Sequence, residues 1–162
     1  MTSTFSTGVI AFALLAGPAW AGKDEADFVT RASIGNLFAI AESQLALERA
    51  GDPKLQNFAQ RLVADHKKAE GELEAAADGS TATAPTALDA DHAARMTDLQ
   101  GKSGAEFEKA YLADQGENHS NLLPLYADYM LLGGDPKLKP LATGMIPVTE
   151  QQLKNVLAMS GN

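Results

Sequence analysis

The chain has 162 residues, of which 45% are hydrophobic and 21% charged, values that suit one globular domain with a genuine core. Its 13 Lys and Arg against 21 Asp and Glu leave a formal charge of −8, which argues against nucleic acid and against polybasic contact with an anionic membrane. Cysteine is absent, so disulfides, thiolate metal sites, thiol nucleophiles and a lipidated N-terminal Cys are excluded.

Residues 1–21 read as a signal peptide. Gly8 to Ala16 is a short apolar run, followed by Gly17-Pro18 and the small-x-small sequence Ala19-Trp20-Ala21. The run is far shorter than the ~20 residues a membrane span needs. No Lys or Arg precedes it, so only the amino terminus supplies positive charge. The reading predicts cleavage after Ala21, export to a periplasm, and a mature domain over residues 22–162 without a transmembrane span.

A first helix is predicted over residues 24–50. Phe28, Ala32, Gly35, Ala39, Glu42, Ala46 and Arg49 follow a 4-3-4-3 spacing, and the small residues suit close approach of a neighbouring helix. Gly51-Asp52-Pro53-Lys54-Leu55 then marks a corner, and it returns unchanged as Gly134-Asp135-Pro136-Lys137-Leu138. Glycine past a helix end takes a left-handed conformation without a Cβ clash, Asp caps the next helix, and Pro suits its first position. Two such corners predict two helical hairpins.

The second helix is predicted over residues 53–78, with Leu55, Ala59, Leu62, His66, Ala69, Leu73 and Ala76 inward. Residues 80–87, small and polar with one Pro, form a crossover, and a short helix follows over 88–100. Ser103 and Glu106 are spaced as a capping box for a third long helix over 104–132. Its stripe is Leu112, Gln115, His119, Leu122, Tyr126 and Tyr129, and Pro124 predicts a kink. A fourth starts at Pro136, breaks near Gly144 and Pro147, and resumes over 148–159 with Met145, Thr149, Gln152, Val156 and Met159 inward. The fold predicted is all-α, a ferritin-like antiparallel four-helix bundle of two hairpins with an extra short helix in the crossover.

The inward stripes are not purely apolar. His66, His119, Glu42 and Gln152 fall at comparable depths on four helices, with Glu70 one turn beyond His66. Glu42, His66 and His119, with Glu70 and Gln152 as neighbours, could hold a single Zn, Cu or Fe ion. No Glu-x-x-His occurs, so the paired motif of dinuclear bundle sites is missing. The competing reading, which the residues favour, is a hydrogen-bonded layer that fixes helix register without a cofactor. No strand-turn nucleophile elbow and no phosphate-binding glycine loop is present, which leans against an enzyme.

Phe58-Ala59, Leu62-Val63-Ala64-Asp65-His66, Phe107, Tyr111 and His119 resemble, in order and spacing, segments of the DUF4142 family of exported bacterial proteins. Leu45-Ala46 and the ending Asp135, Leu138-Lys139, Ala142, Ile146-Pro147 and Leu153 extend the resemblance to residues 24–157. The resemblance implies a ferritin-like bundle, export, and two inward histidines at His66 and His119. Ala39 stands where that family commonly has Glu, and Gln152 where it has His, so the ligand set implied here is depleted. The function expected is a non-catalytic envelope module that binds a partner protein or a small ligand. The alternatives are a mononuclear metal protein, and a carrier of an apolar ligand or partner helix between the hairpins.

Overall fold

The structure is a computed structural model that describes residues 21–79 and 82–161, so the expected signal peptide and its cleavage lie outside the described residues. Five helices and no strand occur among these residues: α1 (Ala21–Arg49), α2 (Pro53–Ala77), α3 (Ala90–Gln100), α4 (Gly104–Leu132) and α5 (Leu138–Met159). The chain is all-α, as its periodicity predicts.

Side-chain pairs fix the direction of each helix. Ser33 and Asn36 of α1 meet Glu70 and His66 of α2, so these two run antiparallel. Gly35 and Ser43 meet Asn118 and Tyr111, which sets α4 antiparallel to α1. His119 meets Gln152, and a Cβ at Gly116 would touch Val156, so α5 runs antiparallel to α4. The four long helices therefore run up, down, down, up. Residues 82–103, with α3, run back along the helices between the two that point down.

The repeated corner works, though differently from its expected form. Asp52 caps α2 by accepting from the Lys54 amide at 2.8 Å, with Pro53 at the first position. Asp135 accepts from the Lys137 and Leu138 amides at 2.7 and 3.0 Å, and α5 begins at Leu138 rather than Pro136. Gly51 is not left-handed. Its amide and that of Asp52 instead donate to Glu108 Oε1 of α4 at 2.8 and 3.1 Å, so the corner is held by a carboxylate from another helix.

Three other expectations need correction. Ser103 makes no side-chain cap, and α4 is entered through Gly104 at φ +54, a conformation glycine takes without steric cost. Arg49 is exposed, because the inward stripe of α1 ends with Leu45, Ala46 and Ala50. α5 continues through Gly144 and Pro147. Pro147 removes one ladder bond, but α5 runs on as one helix, with Ala142 and Met145 buried before it and Thr149 and Gln152 after it.

The core is divided. One apolar cluster gathers Phe28, Leu73, Leu122, Tyr126, Leu138 and Met145, with Phe28 stacked on Tyr129 at 3.9 Å. A second gathers Leu45, Phe58, Leu62, Leu99, Phe107 and Tyr111. Each large side chain buried this way stabilises by roughly 1.5–3 kcal/mol. Between the two lies a belt of buried polar residues, and the candidate site is in that belt.

Candidate functional site

His66 is inward because Leu62 and Ala69, one turn either side of it on α2, are both buried in the core. His119 is inward on α4 for the same reason, between Gln115 and Leu122. Both imidazoles are fully buried, and their Nε2 atoms stand 3.3 Å apart. Burial holds both well toward the uncharged form, and for His66 the neighbouring His119 adds to the effect.

The outer partners decide where the protons are. His119 Nδ1 lies 2.7 Å from the main-chain oxygen of Gln115, which can only accept, so Nδ1 carries the hydrogen. Asn36 Nδ2 donates to Glu70 Oε2 at 2.9 Å, which turns its Oδ1 toward His66 Nδ1, also at 2.9 Å. His66 Nδ1 is then the donor. In the uncharged state each ring presents its Nε2 lone pair to the other. Gln152 adds a third. Its Nε2 donates to Asp65 Oδ2 at 3.1 Å, leaving Oε1 facing His119 Nε2 at 3.1 Å.

Three acceptors thus meet, His66 Nε2 and Gln152 Oε1 both facing His119 Nε2, each oriented by a group behind it. Two of these arms end on carboxylates, Asn36 on Glu70 and Gln152 on Asp65. Glu70 also takes the hydroxyl of Ser33, whose oxygen lies 3.1 Å from the Pro85 carbonyl in the crossover. Lone pairs facing one another in a dry core repel unless a cation or a proton lies between them. A water ~2.8 Å from both Nε2 atoms would have to donate at about 72°, far narrower than the angle between its two O–H bonds. An ion at ~2.0–2.1 Å from both would subtend about 107°, close to tetrahedral.

Of the residues expected to share a site, the structure brings together His66, His119 and Gln152. Glu42 lies one turn away on α1, where it accepts from Gln115 Nε2 at 2.8 Å. No donor reaches its Oε1. Burial, and next the negative charge of Asp114, push its carboxyl up to about 9. Glu70 stands behind Asn36 rather than against the rings. Among the described residues no three His, Cys, Asp or Glu side chains gather as a ligand set. The third donor is an amide.

Sequence reasoning missed Ser33, Asn36 and Gln115 as partners. The inward stripe of α1 is two residues wide, and Ser33, Asn36 and Ser43 occupy its second file. Polar residues repeating beside Ala32, Gly35 and Glu42 were the available signal. His92, by contrast, donates to the capping Asp89 and packs edge-on against Phe38, a role in starting α3.

The family described as a domain of unknown function (DUF4142) matches residues 13–159. The chain belongs to the DUF4142 family. No curated protein and no solved structure matches it. In this DUF4142 chain the position of Ala39 is buried and apolar, while Gln152 supplies a side-chain oxygen to His119. No helix among the described residues is long and apolar enough to cross a membrane.

Proposed function

We propose that this DUF4142 chain is an exported, non-catalytic binding protein, a ferritin-like bundle that holds one divalent late first-row metal ion. The ligands are His66 Nε2, His119 Nε2 and Gln152 Oε1. The observation that carries the reading is the 3.3 Å separation of two buried Nε2 atoms whose Nδ1 hydrogens are already committed elsewhere. A linear two-imidazole site would need them ~4.0 Å apart, so the spacing favours tetrahedral Zn2+. Imidazole suits that ion, and hydrogen bonds from the rings to groups behind them are usual in such sites.

The ferritin-like assignment is supported by the up-down-down-up order and the single long crossover. Export is supported by the apolar run, the Ala19-Trp20-Ala21 pattern and the lack of cysteine. A second reading is favoured by the completeness of the outer hydrogen bonds: the layer is structural, and one shared proton joins the rings.

Metal analysis of the mature, tag-free protein separates the two. Near-stoichiometric Zn2+ retained through gel filtration, and lost in both His66→Ala and His119→Ala, supports the metal reading. No retained or titratable metal, with both variants destabilised, leaves the structural one.

A further inference from the structure

Gln152 is one side chain with two faces. Its Oε1 lies 3.1 Å from His119 Nε2 in the core, and its Nε2 lies 3.1 Å from Asp65 Oδ2 at the surface. Gln152 and Asp65 both line a groove of about 380 Å³ between α2 and α5, along with Arg61, Pro147, Gln151 and Asn155. This is the thinnest of the four seams between long helices. Elsewhere the site is closed more firmly. Asn36, Glu70 and Ser33 fill the α1–α2 side, and Gly35 packs so closely on Leu122 that a Cβ would lie 2.7 Å from it.

We propose that this groove is the route by which the ion reaches the histidines, with Asp65 as its first oxygen ligand and Gln152 as the side chain that turns to admit it. The inference rests on the metal reading above. A hydrated divalent cation is drawn electrostatically to an exposed carboxylate before it reaches buried, uncharged imidazoles. Asp65 is exposed, carries the negative charge of the groove, and sits one residue before His66 in the chain. As the ion binds Asp65, the acceptor that held Gln152 Nε2 is occupied, which frees the amide to turn. Pro147, one and a half turns before Gln152, removes a ladder bond from α5 on the groove side and lets that segment yield. Arg61 lies in the same groove and opposes cation approach, which gives the test a second sign.

The experiment is stopped-flow uptake of Co2+, read by its visible absorption, in wild type, Asp65→Asn and Arg61→Gln at low and high salt. Asp65→Asn should slow association roughly threefold or more and Arg61→Gln should speed it by a similar factor, both effects shrinking in high salt. Arg61 is exposed, so its variant tests the route without disturbing the core. If wild type binds Co2+ and neither variant changes the association rate, the route is wrong while the metal reading stands. If wild type takes up no Co2+ at all, both are overturned.

Discussion

Asn36 and Glu70 hold one another across the α1–α2 seam, Asn36 Nδ2 donating to Glu70 Oε2 at 2.9 Å, and that bond decides which atom His66 meets. With the amide nitrogen committed to the carboxylate, the oxygen faces His66 Nδ1. His66 must donate there, and its other nitrogen is left with a lone pair aimed at His119. The tautomer of a core histidine is thus set by a glutamate it does not touch.

Asn36→Leu removes the link and leaves both His66 Nδ1 and Glu70 short of a partner. Each orphaned polar group costs about 1–3 kcal/mol, so a clear drop in the urea midpoint is expected. Metal affinity should fall about 10–100-fold, the usual effect of losing such an outer partner. A variant as stable as wild type would remove Asn36 from the account.

Glu42 makes stability depend on pH. Its carboxyl ionises near 4.5 when unfolded and is pushed up to about 9 when folded, by burial first and the charge of Asp114 second, against the opposing effects of Gln115 and Arg95. Its contribution is fully present below the unfolded value and is lost as pH rises from about 4.5 through about 9. Glu42→Gln, which keeps shape and adds a donor toward Asp114, should be more stable than wild type at pH 8. At pH 4 the two should match. Urea unfolding at both values checks the sign.

Gly35 and Gly71 should respond oppositely to alanine. A Cβ at Gly35 would lie 2.7 Å from a Leu122 methyl and 3.1 Å from its Cγ, and Leu122 is itself buried in the core. Overpacking there should cost about 1–3 kcal/mol. It would also strain the Asn118 bond to the Gly35 carbonyl, 3.0 Å long and next to His119. Gly71 has nothing within 4 Å and sits inside α2, so Gly71→Ala should stabilise by roughly 0.5–1 kcal/mol. Thermal unfolding of the two variants measures both.

Arg95 ties the crossover helix to the rest. Its guanidinium donates to Asp114 Oδ1 at 2.7 and 3.1 Å and lies over the Phe38 ring at 5.0 Å. Arg95→Ala should leave the long helices intact but speed amide exchange and protease cutting in residues 82–100 at least severalfold. Unchanged exchange there would show that α3 is held by its other contacts, among them Leu99 in the core and His92 against Phe38.

Periodicity made most of the fold legible. The stripes of α2, α4 and α5 place His66, His119, Thr149, Gln152 and Val156 inward, and the structure buries all of them. It failed where a residue's role is set by something distant in the chain. Gly51 is governed by Glu108, and the α5 segments around Pro147 by the packing of Ala142 and Gln152. The site shows the same division. That His66 and His119 face inward can be read from spacing alone. So can Gln152's place beside them; that Asn36 completes their surroundings, and that Glu42 belongs to the next turn, depends on the stagger between helices, which no single stripe encodes.

The most direct measurement is a long-range 1H–15N spectrum of the histidine side chains, before and after one equivalent of Zn2+, with His92, in the first turn of α3 and outside the site, as internal reference. The account requires both His66 and His119 as Nδ1–H tautomers in the metal-free protein, and a shift of both Nε2 resonances that saturates at one ion per chain. A protonated Nε2 on either ring, unmoved by Zn2+, would contradict it and make the pair a hydrogen bond of the core.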